Sequence, residues 1–355
     1  MAFEDLLTSQ DDWFSKPGPL NEVVVSSRIR LARNLRDKKF PHHASVAEQK
    51  EVVEEFERAL APLSGGGSMK FIRLNALSSL DRQFLTEHQL ISAEHAASLG
   101  ERAVAFDAKA GVSLLVNEED HLRLQMFRPG LDLREIFKSI MALDKELEGK
   151  LAYAKDPQLG FLTACPTNLG VALRASVMVH LPALVYTNRV PQVLQGVTQV
   201  GLTVRGIQGE TTQVASAFFQ ISNQSSLGKT GLEIVEHVDR VARQMVEVEL
   251  QTQKTAFHQE GIKLQDRICR TLGTLKTSRI MTLQEALDGL SALRVGVERK
   301  ILKGIDLPSL NRLLILIQPA HLAKVAAREL KPEETSMERA RLLGTVLRPV
   351  EPVEG

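Results

Sequence analysis

Two carboxylates and five arginines stand out by type and spacing. Glu119 sits in Asn117-Glu118-Glu119-Asp120-His121-Leu122-Arg123, a burst of charge that follows the apolar run 111–116, and Glu210 closes Leu202-Thr-Val-Arg-Gly-Ile-Gln-Gly-Glu210. Arg28 and Arg30 fall two apart in the run 23–31, Arg123 ends the acidic burst, Arg174 opens a second alternating run, and Arg205 shortly precedes Glu210. Each has an ordinary reading when taken singly: a solvated turn for the glutamates, an exposed edge strand for the arginines, a simple turn for Gly-x-x-Gly. Adjacent glutamates repel one another, so they stay together only when solvated or opposite strong cations. Taken together, the set suggests phosphoryl transfer, where a dense and rigid cationic surround meets the charge of a triphosphate and of the migrating group. The carboxylates then need an acceptor chemistry. A guanidinium fits, being cationic with a pKa above ~12 and offering a planar donor fork that two carboxylates can hold. While protonated it is a poor nucleophile, so carboxylates must align one nitrogen and draw off its proton.

Alternating strands would position these groups. In 23–31, Val23, Val25, Ser27, Ile29 and Leu31 share one face, and Val24, Ser26, Arg28 and Arg30 share the other. After the acidic burst, Leu122, Leu124 and Met126 face one way and Arg123, Gln125 and Phe127 the other; in 173–181, Arg174, Ser176, Met178 and His180 line up against Ala175, Val177, Val179 and Leu181. Ser45-Val-Ala-Glu48 and Asp132-Leu-Arg-Glu135 predict capped helices reaching about 60 and 148, the first ended by the glycine run 65–67. Residues 80–97 read as one helix carrying His88, and 232–255 as an amphipathic helix with Leu232, Val235, Val238, Val241 and Met245 inward. From 260 to 350 there is almost no strand signal, and Thr282–Glu285 and Thr335–Glu338 are candidate capping boxes, which argues for a separate helical domain. Gly228-Lys-Thr230 resembles the end of a P-loop, but Asn223 stands where its first glycine belongs, so the pattern fails.

Composition narrows the class. With 355 residues, 43% apolar and 25% charged content, the chain has the length of about two domains and the make-up of an ordinary soluble protein. A formal charge of +1 gives no general reason to expect nucleic acid or membrane as partner. Cys165 and Cys269 are too few for a disulfide framework and lack metal-ligand spacing, and no signal peptide or spanning run is seen, so a cytoplasmic protein is expected. No metal site is expected from the residues.

The segments SSRIR (26–30), NEEDHLR (117–123), CPTNLG (165–170), RASVM (174–178), RGIQGE (205–210) and ISN (221–223) resemble, in order, the signature blocks of phosphagen (guanidino) kinases, and the chain is most similar to the bacterial protein arginine kinases among them. That resemblance implies an α+β fold: a catalytic domain over 1–258, an antiparallel sheet flanked by helices, and an all-helical C-terminal domain over 259–355 for client or phosphoarginine binding or for dimerisation. It implies ATP and Mg2+, with the nucleotide held by Ser26, Ser27, Arg28, Ile29 and Arg30, by Arg123, by Arg174, Ala175, Ser176, Val177 and Met178, and by Arg205, Gly206, Ile207, Gln208, Gly209 and Glu210, with His88 nearby. Glu119 and Glu210 would bind and deprotonate the guanidinium, with Cys165 beside it.

Phosphagen kinases that act on free arginine or creatine resemble one another in a helical N-terminal domain that closes over the substrate. Here 25 residues precede Ser26, fewer than the roughly 50 a domain usually needs, which favours an arginine presented on a polypeptide. The expected reaction is therefore protein arginine phosphorylation. Implied partners are arginine-bearing protein substrates, a heat-shock repressor, a Clp-type AAA+ unfoldase or protease, a zinc-binding activator protein and a second copy of the chain. Departures from the pattern are Thr211-Thr-Gln-Val after Glu210, Gln208 where tyrosine is common, and Thr335-Ser336 in place of the leading Arg-Asp of a phosphoarginine pocket whose Arg339 and Ala340 remain. A non-enzymatic adaptor that keeps the fold, and a kinase for free arginine, are the alternatives.

Overall fold

The structure, a computed structural model, describes residues 3, 6–7, 13–61, 69–107, 111–206 and 216–353. The glycine run 65–67 and the segment 207–215 lie outside them. The strands are β1 (Val24–Arg33), β2 (Lys70–Arg73), β3 (Ala103–Asp107), β4 (Val112–Val116), β5 (Leu122–Pro129), the short pair β6 (Lys155–Asp156) and β7 (Gly160–Phe161), then β8 (Leu173–His180), β9 (Leu202–Gly206) and β10 (Phe218–Asn223), and a two-residue pair, β11 (Leu302–Lys303) with β12 (Glu351–Pro352), so the C-terminal region is mainly but not wholly helical. Eight of them form one antiparallel sheet in the order β2-β3-β4-β5-β1-β8-β10-β9. The helices are α1 (Val46–Leu60), α2 (Ser79–Glu87), α3 (Ala93–Ala97), α4 (Leu133–Glu148), α5 (Pro182–Tyr186), α6 (Val190–Gln199), α7 (Gly231–Thr277), α8 (Leu283–Glu298), α9 (Leu307–Leu316), α10 (Pro319–Val325) and α11 (Pro332–Val346).

Period-two alternation decides what each face of the sheet meets. Ile29, Leu31, Leu122, Leu124, Ala175, Val177 and Ile221 share one face, buried against Val52 and Phe56 of α1, Ile136 and Ile140 of α4, and Val235, Val238 and Met245 of α7. The opposite face is divided into three. At the β2–β4 edge, Val104, Phe106 and Leu115 are covered by Phe84 and Leu85 of α2. At the far strand ends, Val25, Met178 and Phe218 pack under Leu272, Leu287, Leu290 and Leu313 of the C-terminal helices. The arginines occupy the ground between.

Several local expectations are corrected. Strict alternation in β1 puts Val25 with Ile29, but a bulge sets both Val24 and Val25 before Ser26, so Val24 turns into the main core and Val25 toward the C-terminal helices. Ser45 forms its capping box and Thr282 does the same. Asp132 does not cap α4; its carboxylate pairs with Arg128 at 3.3 Å. Residues 80–97 are two helices, broken where Gln89 adopts φ +65°. Thr335 caps nothing, because α11 starts at Pro332 and Thr335 Oγ donates back to Lys331 O at 3.0 Å. The amphipathic helix begins at a full Thr230–Glu233 capping box, leaves Leu232 exposed, and runs on through a kink at Glu260 for 47 residues.

Candidate active site

Four strands deliver five arginines to one face. Arg30 stands opposite Gln125 of β5 and Arg174 of β8, Arg28 opposite Phe127 and Ser176, Arg123 opposite Ala32, and Arg205 opposite Gln220 of β10. Neutral donors and acceptors steer the guanidinium groups instead of carboxylates. Arg28 reaches Ser176 Oγ at 3.3 Å and Gln220 Oε1 at 3.0 Å and lies over the Phe127 ring, which stacks on Trp13. Arg174 donates to Ser222 Oγ at 3.0 Å. Arg30 Nε is buried with no partner at all. Burial, then repulsion from Arg123 and Arg174, pulls Arg28 down to about 10, and burial, then repulsion from Arg28, Arg123 and Arg174, holds Arg30 well below the ordinary guanidinium value. Such a cluster is a preformed host for a polyanion. Within it, Arg123 alone among Arg28, Arg30, Arg123 and Arg174 has a carboxylate, bonding Glu118 at 2.5 Å and approaching Glu119 at 3.6 Å.

The acidic turn is built as rigidly as the floor. Asn117 takes φ +59°, which asparagine tolerates, and its amide donates to Gln49 O and Glu101 O, both at 2.9 Å. Glu118 also accepts from Ser92 Oγ at the start of α3. His121 Nδ1 accepts from Leu35 N at 3.0 Å while Nε2 donates to Lys39 O at 2.9 Å, and burial lowers the ring to about 4. It is a neutral latch and not a base. Asp120 accepts from Asn34 Nδ2 at 2.6 Å and from Ala164 N at 2.7 Å, and Asn34 Oδ1 in turn accepts from His121 N at 2.9 Å. Since Asp120 adjoins Glu119 and Ala164 adjoins Cys165, this one carboxylate ties the two loops together. Cys165 is partly exposed, with Sγ 3.0 Å from Thr167 Oγ. Gly170 ends that loop at φ +96°, where an added Cβ would sit 2.8 Å from Ser226 O. Sequence reasoning missed Asn34, Ser92 and Glu118 as organisers. The signal for Glu118 was its neighbourhood to Glu119; Asn34 and Ser92 gave none, because their partners lie in distant segments.

Burial and then the neighbouring Asp120 raise Glu119 above the ordinary carboxylate range. A group needed as the carboxylate loses function as pH falls through its pKa, so the acid limb of kcat/KM is expected above the usual glutamate range. Asp120→Asn removes one of the charges that raise it and should move that limb to lower pH; a pH–rate profile of the two proteins checks this, and an unmoved limb would count against Glu119 as the titrating group.

Not all expected ligand residues reach this face. Ser27, Ile29, Ala175 and Val177 point to the core; Ser27 Oγ donates to Gly130 O and accepts from Asp132 N. Ser26 is buried near the strand end, and Met178 packs toward the C-terminal helices. Of SSRIR and RASVM, the side chains of Arg28, Arg30, Arg174 and Ser176 remain on the arginine face. His88 is not beside an open nucleotide site either: it is 4% exposed, bonds His321 at 3.1 Å, and is held neutral by burial, at about 3. Arg339 is 3% exposed and spends its guanidinium on Ile317 O and Met281 O, both at 2.9 Å, while Ser336 Oγ bonds Pro332 O and Ala340 is core. They form a helix-packing joint instead of an open pocket. Gly206 ends β9; Ile207, Gln208, Gly209 and Glu210 lie outside the described residues.

Comparisons with known proteins fit this geometry. Residues 51–252 match the family described as ATP:guanido phosphotransferase, C-terminal catalytic domain, and residues 261–354 match the protein-arginine kinase McsB C-terminal domain. The chain is 40% identical to a protein-arginine kinase of Symbiobacterium thermophilum, over 97% of this chain and 98% of that one. It is 42% identical to one of Moorella thermoacetica, over 96% and 98%. Among solved structures, the substrate-free duplicated taurocyamine kinase from Schistosoma mansoni aligns with a TM-score of 0.59 at 27% identity, over 68% of this chain and 36% of that longer one. A lombricine kinase aligns at 0.58 and 26%, over 67% and 70%.

Proposed function

The chain belongs to the protein-arginine kinase family of ATP:guanido phosphotransferases, and on that premise we propose that it transfers the γ-phosphate of ATP to a guanidinium nitrogen of arginine side chains in proteins. The observation that carries this reading is the floor of Arg28, Arg30, Arg123, Arg174 and Arg205 on one sheet face, with the Glu119 turn locked at its side. A buried Arg30 Nε without a partner is what a site made for phosphate oxygens would hold. In this proposal the arginines bind and neutralise the phosphates, and the sheet fixes them in advance so that little reorganisation accompanies transfer. Glu119, and Glu210 by its match to the family's pattern, align the acceptor guanidinium and take its proton. Phosphorus then gains the bond to nitrogen as its bond to the bridging oxygen of ADP breaks. Magnesium is proposed to arrive on the nucleotide, bound to its phosphate oxygens, as part of the substrate.

The resemblance to the bacterial enzymes supports a wider proposal: the modification marks proteins for a Clp-type protease and inactivates a heat-shock repressor, in the cytoplasm, with a zinc-binding activator and as a homodimer. No helix among the described residues is long and apolar enough to cross a membrane.

The test is ATP-dependent labelling of a loosely folded protein beside free L-arginine, with sites mapped at neutral pH because the P–N bond is acid-labile. Phosphoarginine in the protein alone, lost in Glu210→Ala, is expected. Labelling of free arginine would reassign the acceptor, and transfer to neither, with client binding intact, would leave an adaptor.

A further inference from the structure

Arg28 is aimed by weak means. No carboxylate among the described residues pairs with it; it donates to Ser176 Oγ at 3.3 Å and to Gln220 Oε1 at 3.0 Å, and its Cζ stands 5.2 Å from the centre of the Phe127 ring. The two bonds direct Nε and Nη2. The tilt of the guanidinium plane depends on the ring it lies over, and so on how firmly that ring is held.

A residue outside the arginine-bearing strands holds it. Trp13, the single tryptophan of the chain, stacks on Phe127 with ring centres 4.9 Å apart and planes 12° from parallel. Glycine makes the approach possible. Gly111, just before β4, takes φ +66°, and a Cβ there would lie 2.9 Å from Phe127 O and 3.2 Å from Trp13 Cδ1. Trp13 is itself anchored on both sides. Phe14, buried, meets it edge-on at 5.4 Å and meets His88 in the same way at 5.2 Å, and His88 bonds His321 of α10. On the other side, the segment 16–19 lies against the end of β5, the strand that carries Phe127. Leu131 N donates to Pro19 O at 2.8 Å, and a Cβ on Gly18 would sit 2.1 Å from Pro129 O.

We propose that Trp13 is a positioning residue for nucleotide binding: by clamping the Phe127 ring it sets the plane of Arg28, which receives the end of the phosphate chain remote from the acceptor. The register supplies the direction. Arg123 lies beside the Glu119 turn and Phe127 four residues further along β5, about 13 Å away, and Arg28 stands opposite Phe127. The transferred group must meet the acceptor at Glu119, so Arg28 serves the phosphates that stay on ADP. Assignment of those phosphates rests on the proposed phosphoryl transfer; the hold on a bound polyanion does not.

The test pairs calorimetric titration of the full-length protein with pyrophosphate and steady-state kinetics with ATP. Trp13→Leu should weaken pyrophosphate binding and raise KM for ATP, each by about tenfold, the worth of one well-placed cation–π contact. It should leave kcat close to the wild-type value, as loss of ground-state binding does. Trp13→Phe, which keeps a stacking ring, should recover most of the affinity. Phe127→Leu should match Trp13→Leu, and the double variant should bind no more weakly than either single one, because both act through the same guanidinium. Phe127→Leu leaves Trp13 in place and carries the test if Trp13→Leu does not fold. Unchanged pyrophosphate affinity in Trp13→Leu with a lowered Tm would mean that Trp13 serves the fold alone and overturns the proposal. Additive losses in the double variant, or a fall in kcat with KM for ATP unchanged, overturn it equally. Absence of phosphoryl transfer with the pyrophosphate pattern intact would fall on the proposed activity and uphold the positioning role.

Discussion

Arg30→Met is expected to lower kcat/KM for phosphoryl transfer by about 10²–10³, the usual effect of removing one preorganised donor, while raising Tm. Two opposite effects come from one cause. Arg30 is buried among Arg28, Arg123 and Arg174, its Nε bonds nothing, and its pKa lies well below that of a free guanidinium. A base whose folded pKa is depressed disfavours the folded state in its charged form. That penalty is complete below the folded value and is relieved only as pH rises through it. Methionine keeps much of the side-chain length without the charge. Inorganic pyrophosphate or ATP, by contrast, should stabilise the wild type strongly, since a ligand at 100 times its Kd adds about 2.7 kcal/mol, and should stabilise the variant less. Thermal unfolding with and without pyrophosphate, beside steady-state kinetics, checks the pair. A fall in Tm together with retained activity would show that Arg30 serves the fold.

The second large effect concerns Arg33, one strand position beyond the floor. Its guanidinium pairs with Asp144 of α4 through contacts at 2.6 and 3.1 Å, donates to Ala32 O at 2.7 Å, and lies 3.6 Å over the Phe161 ring. The two side chains are only 1% and 3% exposed. Breaking a buried pair strands a charge, so Arg33→Met should cost about 3–5 kcal/mol of stability, whereas Arg33→Met with Asp144→Leu, an apolar replacement of both, should recover most of it. Denaturant unfolding of the four proteins of the cycle measures the coupling. Additive losses in the double variant would mean that the two charges do not act as a pair. Arg33 was not among the residues singled out from sequence, because an arginine facing the core looks the same as one facing solvent until its carboxylate is found 111 residues away.

That contrast marks what the sequence could and could not disclose. Arg28, Arg30, Arg123 and Arg174 were legible because strand alternation is a local rule, and each falls on the expected side. Val24 and Val25 were misassigned because one bulge residue reverses the rule beyond it. The roles expected of His88 and Arg339 came from the family resemblance, yet their surroundings are set by His321, Ile317 and Met281, which no local spacing announces. Glu118 shows the converse: the motif was noticed for Glu119, while its neighbour holds Arg123 and Ser92 in place.

The long helix α7 contributes Val235, Val238 and Met245 to one core and Ile268, Leu272 and Leu275 to another. Removing a single residue between those sets would rotate everything downstream by about 100° and draw it in by about 1.5 Å. Each leucine of the second set would then face the wrong neighbours, however well its own identity were preserved. Between Phe257 and Arg267 a substitution at an exposed position leaves both faces where they are, whereas a change in count re-aims one of them.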